Sequence, residues 1–290
     1  MRIPDLIRPD QRFISMEFFP PKEREAWPGF FEVAGRLASL NPLFVSVTYG
    51  AGGGTQANTL EIVRRLKADV GLEPLAHLTC VGADSARIDA FLTDLRAAGC
   101  DNVLALRGDP PRDRPDFDFS QGEFHHGSDL AAHIRTVQPD MGVGVTGYPE
   151  AHPESPSIAS ELKWSKHKIE AGGQFMVTQL FFDNRLYFDY VERLRGMGVN
   201  VPIIPGLLPI MSLKNVKFII SLCGAAIPGK FLAALEKAHE TGGDPAVYAL
   251  GMDYAKRQAQ ALLDGGAPGV HLYTLNRAEA CLEIGASLSL

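Results

Sequence analysis

What most constrains this chain is a repeated pattern: eight short apolar runs, rich in β-branched and aromatic residues, each followed by a helical stretch. They recur at intervals of roughly thirty residues, the spacing expected of βα units. The runs are Phe13–Phe19, Leu43–Thr48, Leu75–Val81, Asn102–Arg107, Val143–Tyr148, Phe175–Phe182, Pro202–Leu208 and Val270–Leu275. The intervening segments predict helices over Trp27–Leu40, Thr55–Val70 (capped by Thr55 or Asn58), Asp84–Ala98, from near Ser128, Glu161–Ala171, Arg185–Met197 and Leu213–Leu222. Two more fill Lys230–Leu263, and a closing helix runs from Arg277. Such an alternation builds a parallel sheet, either doubly wound and open or closed into a barrel. Eight units in 290 residues, with no break in composition, favour an α/β fold: a single (β/α)8 barrel of the TIM type, with extra helices before the eighth strand. No Pro/Ser-rich linker divides residues 1–290, which read as one domain.

Charge and cysteine usage narrow the classes. With 28 basic and 34 acidic residues the formal net charge is -6, which disfavours a nucleic-acid binder. The first twelve residues carry Pro4, Asp5, Arg8, Pro9 and Asp10, so no signal-peptide core is expected, and no apolar run is long enough to cross a membrane. Cys80, Cys100, Cys223 and Cys281 are scattered and form no CxxC pair. That spacing fits a reducing cytoplasm better than a disulfide scaffold or a zinc site.

In a barrel of this kind the chemistry gathers at the C-terminal ends of the strands. Those ends supply Glu17, Thr48-Tyr49-Gly50-Ala51, His77, Arg107-Gly108-Asp109, Tyr148 with His152, Gln179 and Arg277. Each has an ordinary alternative. Glu17 can meet a surface lysine, His77 can be a satisfied core histidine, and Asp109 can be turn chemistry before two prolines. Gly52–Gly54 matches neither GxGxxG nor a GK[ST] loop. Gln179 is harder to set aside, because a buried amide needs several partners. None of these residues has the spacing of a metal-ligand pair.

Seven segments together resemble the methylenetetrahydrofolate reductase family: Ser15-Met-Glu-Phe-Phe-Pro-Pro21, Phe44-Val-Ser-Val-Thr-Tyr-Gly-Ala51, His77-Leu-Thr-Cys80, Leu106-Arg-Gly-Asp109, Tyr148-Pro-Glu-Ala-His-Pro153, Thr178-Gln-Leu-Phe-Phe182 and Tyr273-Thr-Leu-Asn-Arg277. They run in order over nearly the whole chain. The resemblance implies a flavin-dependent (β/α)8 barrel of the short bacterial type. It would reduce 5,10-methylenetetrahydrofolate to 5-methyltetrahydrofolate, with FAD carrying electrons from NADH or NADPH, as a homo-oligomer.

The resemblance also assigns roles. Glu17 matches the acid that protonates N10 so that the folate ring opens, which near neutral pH predicts a raised pKa, with Phe19 on the same strand face helping to desolvate it. Asp109 matches an aspartate between flavin and pterin, able to accept from the pterin's amino edge and to lower the flavin potential. Gln179 matches a pterin-recognising amide, and Arg277 a folate contact at the glutamate tail. The flavin set is Thr48, Tyr49, Ala51, His77, Arg107, Gly108, Asp109, Tyr148, His152 and Lys168, with Arg107, His152 and Lys168 toward the pyrophosphate and adenosine half. Lys168 shares its helix with Lys163 and Lys166, so a solvated basic face is the competing reading.

Some positions depart from the family pattern. His126-Gly127 stands where bacterial relatives tend to have Tyr-Ala, and Trp164 and His167 where they place Asn and a basic residue. Leu213 and Ile219 fall in the unit where an aromatic commonly packs on nicotinamide or folate. These departures bear on the electron donor and the direction of flow. The rival readings are 5-methyltetrahydrofolate oxidation, electrons from a protein donor, a non-catalytic folate-binding barrel, and a hydrolase using Glu17 and Asp109 as paired carboxylates.

Overall fold

The computed structural model describes residues 1–48, 56–110 and 117–290, without the side chains of Gln56 and Ala57. Eight parallel strands close in sequence order into a barrel. They are β1 Phe13–Phe18, β2 Phe44–Val47, β3 Pro74–Thr79, β4 Asn102–Leu106, β5 Gly142–Gly147, β6 Phe175–Leu180, β7 Ile203–Leu207 and β8 Gly269–Tyr273. The helices are α1 Ile3–Leu6, α2 Trp27–Ala38, α3 Gln56–Arg65, α4 Ser85–Ala97, α5 Gly127–Val137, α6 Ile158–Glu170, α7 Asn184–Gly196, α8 Leu213–Cys223, α9 Gly229–Asp264 and α10 Ala278–Gly285. The expected pair of helices before the eighth strand is α9, bent at Gly243, where φ is 63° and Pro245 follows. Among the described residues no helix is long and apolar enough to cross a membrane.

Strand parity separates two cores. On β1, Ile14, Met16 and Phe18 face outward into the layer shared with the helices, where Phe18 meets the edge of Phe30 from α2. Phe13 faces inward with Phe44, Leu75, Leu104, Phe175 and Ile204, which fill the lower barrel. The strands are buried on both faces, as all-parallel sheets require. Each fully buried Phe or Leu contributes about 1.5–3 kcal/mol. The short helix α1, which sequence periodicity did not reveal, seats Ile3 against this floor, and its backbone N–H donates to Asn102 Oδ1 at 2.7 Å.

Above the apolar floor the inward positions turn polar: Ser15, Glu17, Ser46, His77 and His271 are all buried. The pairing of Glu17 with Ser46 and of Ser15 with His271 sets these groups at two successive inward positions. Register slips between Val177 and Leu180 where β6 meets β7. Such an irregularity re-aims side chains, and Gln179 sits within it. Gly206 is required opposite it: a Cβ there would lie 2.3 Å from the Thr178 carbonyl oxygen and 2.8 Å from the Tyr273 ring. Asn58, one of two expected caps for α3, instead lies inside that helix, with its Nδ2 donating to the Lys22 carbonyl. The other, Thr55, lies outside the described residues.

Candidate active site

A cavity of about 1190 Å³ opens at the C-terminal end of the barrel. A pocket for one drug-sized ligand occupies roughly 300–1,000 Å³, so this one has room for more than a single small molecule. Glu17, Thr48, His77, Arg107, Gly108 and Asp109 line it, as do Tyr148, His152, Lys168 and Gln179. Ten of the expected site residues therefore meet in one space. Arg277 does not line it; it is exposed at the N-cap of α10, near the rim of the same barrel end. Tyr49 and Ala51 lie outside the described residues.

The floor is built around Glu17. Its Oε2 lies 3.3 Å from His77 Nε2 and 3.9 Å from His271 Nε2, and it accepts from Ser46 Oγ at 3.3 Å. The His77 contact is close but poorly aligned, and His77 Nε2 has no hydrogen-bond partner among the described residues. Burial pushes the Glu17 pKa up, yet His271 and His77 against the carboxylate outweigh it and hold it at about 2. The expected raised pKa is therefore not found. Apolar desolvation was the premise, and two imidazoles stand where it was to act. Phe19 lines the cavity above Glu17 but is 39% exposed, so it closes off little water. Burial keeps the His271 ring on the neutral side by lowering its pKa.

The other arm of the cavity is cationic. Lys168 does not belong to the solvated face of α6: its side chain is mostly buried and its ammonium donates to the Thr146 carbonyl at 3.1 Å. It stands 5.1 Å from the Tyr148 ring centroid and 4.0 Å from Glu161, and burial lowers its pKa. Glu161, at 2% exposure, organises this arm. It accepts from Ser155 Oγ at 2.8 Å and from the His152 backbone N–H at 3.3 Å, tying the loop after β5 to α6. Arg107 is held by Glu154 through two contacts and lies over the Phe119 ring. Gly108 has φ +90°, and a Cβ there would fall 2.7 Å from Val81 Cγ1, so the backbone between Arg107 and Asp109 can take this path only as glycine.

Gln179 turns its side-chain oxygen back onto the Leu180 N–H at 2.9 Å, which leaves its amide donors toward the cavity. Asp109 is exposed at the rim. Of the positions that depart from the family pattern, His126 packs against Trp164 with ring centroids 4.6 Å apart, and Trp164 against His167. His126, Trp164 and Ile219 line the cavity, whereas Leu213 packs in the apolar cluster beneath α8.

Sequence reasoning missed His271, Ser46, Glu161 and Glu154. The signal for the first two was parity: counting inward along paired strands puts Ser46 opposite Glu17 in β2 and His271 opposite Ser15 in β8. Glu161 was read only as the start of a helix, and Glu154 carried no signal before folding placed it opposite Arg107.

The class these features define is a closed parallel (β/α)8 barrel whose cavity joins a buried carboxylate to cationic side chains on one arm. Sequence comparison makes this specific. The methylenetetrahydrofolate reductase family profile matches residues 2–289, and the chain belongs to that family. It is 38% identical over 299 residues to methylenetetrahydrofolate reductase (NADH) 1 of Arabidopsis thaliana, covering all of this chain and 50% of that protein. It is 34% identical over 268 residues to the 5,10-methylenetetrahydrofolate reductase of Escherichia coli, covering 92% and 87%. The chain thus spans about half the length of the plant relatives it matches and most of the bacterial one. Among solved structures, a Clostridium thermocellum protein described as binding two copies of 5-methyl-5,6,7,8-tetrahydrofolic acid shares the fold, with TM-score 0.67 at 17% identity over 97% of this chain and 96% of that one.

Proposed function

We propose that this chain reduces 5,10-methylenetetrahydrofolate to 5-methyltetrahydrofolate, using FAD and electrons from NADH or NADPH. The observation that carries this reading is the single cavity joining a buried carboxylate, Glu17, to the cationic arm of Arg107, His152 and Lys168. The arm suits a dinucleotide: an ammonium, a guanidinium and a glycine-bounded backbone path are the donors a pyrophosphate needs. Arg107, His152 and Lys168 would hold that half of the cofactor, with Thr48, His77, Gly108 and Tyr148 bordering the rest. Bound flavin would supply the hydride for the folate's methylene carbon, having received it from the nicotinamide.

The remaining chemistry belongs to the chain's own residues. Glu17 gives a proton to N10 as the C–N10 bond breaks, leaving the methylene carbon as an N5-iminium. His271 and His77 hold the carboxylate ionised, so folate binding must first raise its pKa. Excluding water from the floor and bringing the pterin against the carboxylate both act in that direction. Gln179 offers its amide hydrogens to the pterin, and Asp109 accepts from the pterin's amino edge. Arg277, at the rim, pairs with the folate's glutamate tail.

Replacing Glu17 by Gln tests the assignment. The variant should bind FAD and folate as the wild type does and accept electrons from the nicotinamide. Its rate of flavin reoxidation by methylenetetrahydrofolate should fall by at least ~10²–10⁴-fold, the usual worth of general acid catalysis. Reoxidation at the wild-type rate would remove Glu17 from the acid role.

A further inference from the structure

The segment that carries Glu17 has its last backbone groups held by side chains rather than by a neighbouring strand. β1 pairs with β8 as far as Glu17 opposite Tyr273, and the Thr274 N–H continues the ladder to the Glu17 carbonyl at 3.3 Å. Thr274 Oγ1 donates to the same carbonyl at 2.6 Å. Further along, the Asn276 carboxamide takes the place of a peptide group. Its Oδ1 accepts from the Phe19 N–H at 3.0 Å, and its Nδ2 donates to the Phe19 carbonyl at 2.6 Å. Pro20 and Pro21 follow without N–H groups, so the ladder stops at Phe19.

The β8 side adopts a costly backbone to make this reach. Leu275 and Asn276 are both left-handed, with φ of 48° and 56°. Asparagine tolerates that region, whereas a bulky leucine rarely enters it. The turn is fastened by the Asn276 N–H to Thr274 Oγ1 at 3.0 Å and by the Arg277 N–H to the Thr274 carbonyl at 2.8 Å. The buried Thr274 hydroxyl thus joins both halves, donating to Glu17 and accepting from Asn276. Strained backbone persists where its surroundings over-determine it, and it gathers at working sites. Here Phe19 follows Glu17, and Leu275 follows Tyr273, by two residues, and all four line the cavity. Leu275 is also anchored against the apolar cluster that holds Leu180, Leu208 and Phe231.

We propose that Thr274 and Asn276 are positioning residues, a side-chain clasp that fixes Phe19 and Leu275 as a preset apolar lip over the Glu17 carboxylate. The role rests on the acid function proposed for Glu17. Phe19, at 39% exposure, closes off little water by itself. A ligand lying against a fixed lip leaves no gap for water above the carboxylate, whereas a lip free to swing away readmits it. Water around a carboxylate favours its ionised form and lowers its pKa. The titratable groups that face Glu17 are His77 from β3 and His271 and Tyr273 from β8, with Ser46 as its β2 neighbour. Neither Thr274 nor Asn276 titrates, so the clasp acts on Glu17 through position and hydration alone.

The test replaces Asn276 by Gly, which removes the carboxamide yet suits a φ of 56°, so the result is free of added backbone strain. Thr274→Val removes the hydroxyl while keeping the branched shape, and Thr274→Ser restores the hydroxyl. In the FAD-loaded protein, hydrogen exchange of the Phe19 amide should quicken by at least ~10-fold in Asn276→Gly, while the strands below keep their protection. At saturating methylenetetrahydrofolate the rate of flavin reoxidation should fall ~10-fold, the order expected of a displaced wall. Its high-pH limb, which marks loss of the Glu17 proton in the complex, should move down by ~0.5–1 pH unit. Thr274→Val should repeat both changes, Thr274→Ser should undo them, and FAD affinity should be unchanged in all three. A rate loss with an unmoved limb, Thr274→Ser behaving as Thr274→Val, or Asn276→Gly matching the wild type would overturn the proposal. Should Thr274→Val fail to fold, Asn276→Gly decides alone. The exchange arm reads the clasp without turnover. A wild type that reduces no folate overturns the functional reading, whereas unchanged Phe19 exchange in Asn276→Gly overturns the clasp.

Discussion

Arg107 and Glu154 close on one another through two contacts, Nη1 to Oε2 at 2.6 Å and Nη2 to Oε1 at 2.9 Å, across the cationic arm of the cavity. The pair takes up the guanidinium face that suits a phosphate. The partnership raises the Arg107 pKa, and the same hydrogen bond lowers that of Glu154. If Arg107 meets the cofactor's pyrophosphate as proposed, that group must displace a carboxylate.

Replacing Glu154 by Gln should accordingly tighten FAD. The carboxylate is well exposed, so the gain is that of a partly screened pair, ~3- to 10-fold in Kd. Flavin fluorescence titration measures it, with riboflavin as a control that lacks phosphate and should be unaffected. An unchanged FAD affinity would mean that Arg107 does not meet the pyrophosphate.

Lys168 makes the opposite prediction. Its ammonium is held inside the cavity wall by the Thr146 carbonyl and Glu161 rather than projecting into water. Lys168→Met should weaken FAD by about 10- to 100-fold, the worth of one charge-assisted hydrogen bond. Lys163→Met, on the exposed side of the same helix, should leave FAD affinity unchanged.

Gly108 ties the cofactor arm to the fold. At φ +90°, with a Cβ falling 2.7 Å from Val81 Cγ1 and 2.9 Å from Thr79 Cβ, Gly108→Ala should cost roughly 1–3 kcal/mol of stability and displace Arg107 and Asp109 together. Urea denaturation with and without FAD should show both the lower midpoint and a reduced stabilisation by the cofactor.

Glu17 makes stability depend on pH at the acid end. Its pKa is about 2 in the folded chain against 4.5 for an unperturbed glutamate. A depressed carboxylate contributes stability that is fully present above the unfolded value and is lost as pH falls through the folded one, so the window is pH 4.5 to 2. Over that window the wild type should lose on the order of 2–3 kcal/mol more than Glu17→Gln. Urea midpoints against pH would show parallel curves for the two proteins if the carboxylate were not held in this way.

The barrel was legible in sequence because each strand is an apolar run closed by a turn, and nothing in the composition interrupts eight such units. The site was legible where function sits at strand ends: Glu17, His77, Arg107, Tyr148 and Gln179 come from five strands, and the barrel brings them together. What escaped was whatever depends on partners. The pKa of Glu17 was misjudged because the apolar run around it suggested a dry pocket, whereas strand pairing sets Ser46 beside it and His271 one step below. Lys168 was ambiguous because three lysines on one helix look alike until packing buries one of them. Glu154 became meaningful only once the loop after β5 folded over Arg107, a relation that no periodicity encodes.

The most direct test of the central claim is the anaerobic visible spectrum of the purified FAD-loaded protein. NADH and NADPH are added in separate cuvettes, followed by 5,10-methylenetetrahydrofolate. The account predicts that the flavin bands bleach with at least one nicotinamide and return when the folate is added, with 5-methyltetrahydrofolate as the product. A protein that cannot be loaded with FAD would contradict the account, as would a flavin that neither nicotinamide bleaches and only 5-methyltetrahydrofolate reduces.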